Sequence, residues 1–162
     1  MIAMTLNNLG SNLFRLGRIE ESIILTREAV EDLQRVYGPD HVRVLDARNN
    51  LAIRYVAMRR FQEAEAIYRD VELSYRRAYG PEYPGIGIAH YNLACLAAKS
   101  GDLEKALRLL RETLDVRMPA DLAVHVADDD DLAALHGDPR FDALVAAFKE
   151  RGPPSAPGTA KR

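Results

Sequence analysis

Asn49-Asn50-Leu51-Ala52 decides the fold, because it recurs. Asn7-Asn8-Leu9-Gly10 stands 42 residues before it, and Tyr91-Asn92-Leu93-Ala94 stands 42 residues after it. The flanking sequence keeps the same step. Tyr37-Gly38-Pro39 returns as Tyr79-Gly80-Pro81, and Ile19, Phe61 and Leu103 fill one equivalent apolar position. A fixed period in this range marks a stacked array. Each copy is one supersecondary unit that buries its apolar face only against its neighbours. Such arrays usually bind other molecules rather than transform them.

Two amphipathic helices fill each copy. Ala47, Leu51, Ala52, Tyr55 and Met58 share one stripe of a first helix, A. Ala64, Ile67, Tyr68, Val71, Tyr75 and Ala78 then follow at spacings of 3, 4 and 7, the mark of a second helix, B. Arg59-Arg60 is the turn between them, and its counterparts are Gly17-Arg18 and Gly101-Asp102. Glycine there supplies the positive φ that ends a helix. Gly38-Pro39-Asp40 and Gly80-Pro81-Glu82 join one copy to the next. Glycine stops helix B, and proline cannot continue it. Alternating β-branched runs between hairpin turns are absent. The pattern predicts helices near 2–16, 20–37, 42–58, 61–79, 85–100 and 103–116.

The period then fails. Its continuation would put Gly-Pro at 122–123, where Leu122 and Ala123 stand. Pro119, a weak helical stretch to Ala127, the acidic run Asp128 to Asp131 and Leu132-Ala133-Ala134-Leu135 follow instead. Asp138-Pro139 opens a last helix, with aspartate as N-cap and proline at the first helical position. Phe141, Leu144, Val145 and Phe148 give that helix an apolar stripe. The expected division is therefore repeats at 1–37, 38–79 and 80–116, a helical cap at 117–151 and a tail at 152–162. The tail holds three prolines, two glycines and no large apolar side chain, which predicts disorder. At the other end, Met1 is equivalent to Arg43 and Gly85, and no polar cap precedes the first helix. Solenoids need covered ends. That face is expected to meet further repeats or another chain, a second copy included.

Composition narrows the functional classes. A chain of 162 residues fits one domain or one short solenoid. Hydrophobic residues are 48% and charged residues 28%, ordinary values for a soluble folded protein. The net charge of −2, from 22 basic and 24 acidic residues, argues against a nucleic-acid partner. Cys95 is the only cysteine, so no intrachain disulfide can form, and a reducing cytoplasm is the simplest compartment. No stretch approaches the roughly 18 apolar residues that span a bilayer. Met1 to Gly10 has neither a basic n-region nor an apolar h-region, so no secretory signal is expected.

These residues resemble the tetratricopeptide repeat, in the long-period form of kinesin-light-chain-like arrays. That form has an Asn-Asn-Leu-Ala core in helix A, a Gly-(aromatic or aliphatic)-x-Glu-Ala turn into helix B and a Gly-Pro-Asp/Glu-His joint. The turn stands here as Gly17-Arg18-Ile19-Glu20-Glu21-Ser22, Arg60-Phe61-Gln62-Glu63-Ala64 and Gly101-Asp102-Leu103-Glu104-Lys105-Ala106. The resemblance covers about residues 2 to 116, in three in-register copies. Tyr91 to Cys95, Asp130-Asp131-Leu132 and Asp138-Pro139-Arg140-Phe141 also look like the end of repeat regions in large bacterial signalling proteins. Many of those carry a serine/threonine kinase or a cyclase. No kinase glycine-rich loop, His-Arg-Asp or Asp-Phe-Gly motif occurs here.

The resemblance implies that the A helices line a concave groove. Positions spaced 4, 3 and 4 apart share the helix face opposite the packed stripe. They are Met4-Asn8-Ser11-Arg15, Asp46-Asn50-Ile53-Ala57 and Ile88-Asn92-Cys95-Lys99. Asn8, Asn50 and Asn92 would form a ladder, flanked in sequence by Asn49 and Tyr91. An amide both donates and accepts, so it can pair with a peptide backbone of any sequence. The alternative is that these amides bond to neighbouring helices and only hold the superhelix together. Arg15 and Lys99 would favour acidic groups, with Asp46 between them. A subset of the family grips C-terminal carboxylates with a fixed set of groove cations, which this sequence lacks.

Catalytic and metal chemistry find little support. His41, His90, His125 and His136 are scattered, with no His-Glu-x-x-His or Cys-x-x-Cys spacing. A metal site of His125, His136 and Asp128–Asp131 is the weakest candidate, because carboxylates before a helix more often serve its dipole. Cys95 has His90 five residues away and off its helical face, so no paired base is in view. Tyr37, Tyr55, Tyr68, Tyr75 and Tyr79 read as core residues, and the Arg/Glu-rich B-helix stretches as solvated faces. The expectation is an all-α, right-handed α-solenoid of three helix pairs and a helical cap. It would be no enzyme, need no cofactor and bind a peptide or partner helix. The alternative is a regulatory or self-associating segment of a larger bacterial signalling protein.

Overall fold

The computed structural model describes residues 2–116, 119, 122 and 125–151. The predicted tail and most of 117–124 lie outside the described residues. Six helices form three antiparallel pairs: α1 (Ile2–Arg15) with α2 (Ile19–Tyr37), α3 (Val42–Ala57) with α4 (Phe61–Tyr79), and α5 (Pro84–Ser100) with α6 (Leu103–Leu114). Two 3₁₀ segments follow, Val126–Asp128 and Asp130–Leu135, and then α7 (Pro139–Arg151). No strand occurs among the described residues. Each of the six helices packs on its sequence neighbours, and the A helices α1, α3 and α5 also touch one another in order. The fold is an all-α solenoid of helical hairpins.

The turns explain themselves locally. Gly17 and Gly101 have φ of 76° and 89°, and between them in the series stands Arg59 at 58°. An L side chain there costs about 1–2 kcal/mol. The Arg59 guanidinium lies 5.7 Å from the centroid of the Phe61 ring, a contact that offsets part of this cost. At the first joint the Nδ1 atom of His41 accepts from the Arg43 amide at 3.2 Å and so caps α3.

The tyrosines divide into two groups. Tyr55, Tyr68 and Tyr75 are buried, as their spacing predicts. Tyr37 and Tyr79 are not core residues; they are 42% and 40% exposed. Each is the last residue of a B helix, where the chain leaves the stack. They clamp the joints instead. The Tyr37 ring stacks on His41 at 4.6 Å, and its hydroxyl accepts from Arg43 at 3.0 Å. The Tyr79 hydroxyl accepts from the Val42 amide at 2.7 Å.

One core cluster runs from Ile23 through Leu51, Tyr68, Leu93 and Leu110 into Leu132, Phe141 and Phe148. The C-terminal segment is thus continuous with the stack and closes it against α5 and α6. The opposite face is bare. Leu9 is 46% exposed, whereas its equivalents Leu51 and Leu93 are 8% and 1% exposed under the preceding pair. Leu16, one residue beyond the end of α1, is also exposed.

Candidate binding groove

The A helices lie side by side, so equivalent residues on them form one continuous face. Two hollows open on it. The larger, about 230 Å³, has Ile53 and Ala57 of α3, Tyr91, Asn92, Cys95 and Lys99 of α5, and Phe14 of α1 in its lining. Asp129 and Asp131 from the C-terminal segment wall its end. The smaller, about 110 Å³, holds Met4, Asn7, Asn8, Leu33, Arg43 and Asp46.

The predicted residues do not all take equivalent places. Ile53, Tyr91, Asn92, Cys95 and Lys99 come together at the α5 end, and Asn8 and Asp46 at the α1 end. Asn50 is half-buried between them, while Ser11 is turned toward Arg54. Arg15 is exposed beside Asn12 and Leu16, away from both hollows. Asn49 departs furthest from expectation. It is 7% exposed and faces inward, and its Oδ1 atom has no hydrogen-bond partner among the described residues. Asn49 lines neither hollow, although its equivalents Asn7 and Tyr91 each line one.

The side-chain amides of Asn8, Asn50 and Asn92 make no hydrogen bond to another described residue. Their neighbours are more occupied. Tyr75 donates to Asp46 at 2.6 Å. Burial pushes the Tyr75 hydroxyl pKa up, and the Asp46 carboxylate adds to it. Tyr91 donates to Asp129 at 2.6 Å, and the other Asp129 oxygen accepts from the Asp131 amide at 2.8 Å. Lys99 is ion-paired to Asp131. These contacts between α5 and the C-terminal segment carry no sequence signal beyond the acidic run itself.

Cys95 is buried at the floor. Burial raises its thiol pKa well above the ordinary value, and Asp129 and Asp131 raise it further. A thiol kept protonated is a poor nucleophile. His90 is engaged elsewhere, 3.0 Å from Glu72 of α4. Among the described residues no three His, Cys, Asp or Glu side chains gather to hold a metal ion, so His125, His136 and the acidic run form no such cluster.

The sequence profile of the tetratricopeptide repeat matches residues 1–72 and 71–118. The chain belongs to the tetratricopeptide repeat family. Its fold is similar to the crystal structure of BtubC (BKLC) from P. vanneervenii, with a TM-score of 0.72 at 20% identity over 99% of this chain and 68% of that one. It is also similar to two crystal structures from Podosopora anserina, named for kinesin light chain and nearly identical TPR-like repeats. These have TM-scores of 0.61 and 0.60 at 18% identity, over 92% of this chain and 68% of theirs. No curated protein sequence matches. No helix among the described residues is long and apolar enough to cross a membrane.

One tetratricopeptide-repeat residue escapes the sequence reading. Arg54, on the stripe of α3 that meets the first repeat, is only 2% exposed. It donates to Ser22 of α2 at 2.6 Å, to Ser11 of α1 at 3.1 Å and to the Asn50 carbonyl. Its guanidinium sits 5.3 Å from the Phe14 ring centroid. All three acceptors are neutral, and burial lowers its pKa. The available signal was an arginine in a stripe otherwise made of Ala47, Leu51 and Met58.

Proposed function

We propose that this chain is a cytoplasmic protein-interaction module that holds a peptide or partner helix along the concave face of its A helices. Tetratricopeptide repeats generally mediate protein–protein contact, and the fold is typically a non-catalytic scaffold. The observation that carries the reading is the ladder. One amide per repeat, at Asn8, Asn50 and Asn92, has no hydrogen-bond partner among the described residues; Asn8 and Asn92 each line one of the two hollows. Such amides, half-buried at Asn50 and Asn92 and exposed at Asn8, are available to a backbone that runs across the repeats. Asn50→Ala combined with Asn92→Ala is expected to weaken partner binding at least about 10-fold, as two lost hydrogen bonds would. The helical circular dichroism should stay unchanged. A pull-down or titration with unaltered affinity would remove the ladder from the account.

A second reading has its own observation. The exposed Leu9 lies on the face that α3 and α5 bury under a preceding pair, and Leu16 is exposed just past the end of the same helix. That favours a regulatory or self-associating segment of a larger bacterial signalling protein. Light scattering on a size-exclusion eluate should then show a concentration-dependent dimer that Leu9→Glu with Leu16→Glu abolishes. A monomer at every concentration would count against self-association.

A further inference from the structure

The C-terminal segment reverses the charge of one end of the groove. Sequence offers Lys99 there as a cation for acidic groups. In the fold, Lys99 is already paired with Asp131, and Asp129 is bound to Tyr91. These two aspartates alternate with Asp128 and Asp130, which are exposed. Leu132 and Leu135, next along the chain, are buried in the same core cluster as α5. The acidic run is therefore a fixed wall. Asp129 and Asp131 stand against the single ammonium group of Lys99 in the lining of a hollow of about 230 Å³ that also includes Ile53 and Ala57, and Asp128 and Asp130 are exposed next to them in the chain.

We propose that this end of the groove binds a basic amphipathic segment. An apolar side chain of the partner enters the hollow, and flanking lysines or arginines face the aspartate wall. The proposal rests on the groove reading above and adds the partner's charge. An acidic segment would meet a cation already neutralised and a wall of like charge, an arrangement that rejects partners. A basic segment gains both attraction at the rim and steering toward it.

Two synthetic peptides of about 16 residues, some four helical turns, test this. Both carry leucine on one face; one has lysine and the other glutamate on the opposite face. Each is titrated into the ¹⁵N-labelled full chain, with amide shifts and fluorescence anisotropy as readouts, at low and raised salt. The lysine peptide should shift the Ile53 and Asn92 amides and bind at least about 10-fold tighter than the glutamate peptide, less so at high salt. Asp128→Asn with Asp130→Asn should cut its affinity about 2- to 5-fold per charge removed. Equal affinities, a preference for glutamate, or an unaffected double variant would overturn the charge assignment and leave the groove reading standing. Shifts that avoid Ile53 and Asn92 with both peptides, or no shifts with either, would overturn the groove reading as well.

Discussion

Phe148→Ala is expected to remove about 3–5 kcal/mol of stability, the usual result of truncating a buried aromatic ring. Phe148 is 2% exposed on the inner stripe of α7, in one cluster with Leu110, Leu132 and Phe141. The whole chain has only about 5–15 kcal/mol to lose. In a stacked array each unit contacts only its neighbours, so the damage should concentrate at α5, α6 and the cap. Urea unfolding followed by circular dichroism gives the magnitude, and Cys95 gives the location. Its thiol is buried and held protonated beside Asp129 and Asp131. Loosening the cap should speed its reaction with a thiol reagent by orders of magnitude under native conditions. A loss below about 1 kcal/mol, far under the cost of a buried ring, would show that α7 is not part of the cooperative unit. Native protection of Cys95 would say the same.

The period of Asn8, Asn50 and Asn92 made the architecture legible, because each helix is set by spacings within itself. Observed helix ends fall within two residues of the predicted ones. Asp138-Pro139 likewise announced α7 through its own capping chemistry; the Asp138 carboxylate accepts from the Arg140 amide at 2.8 Å. What was not legible depends on how one pair sits on the next. Tyr91 finds Asp129 and Lys99 finds Asp131 across more than 30 positions of sequence. No helical spacing encodes such a meeting. Asn49 was misplaced for a related reason. One residue turns about 100° around an α-helix, and at that position Asn7 and Tyr91 still reach a hollow whereas Asn49 is buried and lines neither. Tyr37 and Tyr79 fit the apolar rhythm of their helices but sit at the ends, where the rhythm no longer faces a neighbour.

Arg54 offers the sharpest test of the packing between repeats. Arg54→Ala should destabilise by about 2–4 kcal/mol, because the buried stem and its contact with Phe14 leave a cavity. Ser22→Ala should also destabilise, by about 1–3 kcal/mol, since it strands a buried N–H donor. The double change Arg54→Leu with Ser22→Ala should do the reverse. It copies the next interface, where the equivalent positions are Leu96 and Ala64 and both are buried in the main core. A guanidinium held only by neutral oxygens keeps part of its desolvation cost. Replacing buried charge with fitted apolar groups is often neutral or gains about 1–4 kcal/mol. The single and double changes are therefore strongly non-additive, as residues in one network should be. Urea unfolding of the four proteins measures the coupling directly. A double variant clearly less stable than the parent would mean that Arg54 contributes more through its bonds to Ser11, Ser22 and Asn50 than burial takes away. The same variants bear on binding. Arg54 fixes the Ser11 hydroxyl and the Asn50 carbonyl, both on or beside the concave face. A more stable double variant with a displaced Asn50 amide would separate what holds the stack together from what shapes its groove.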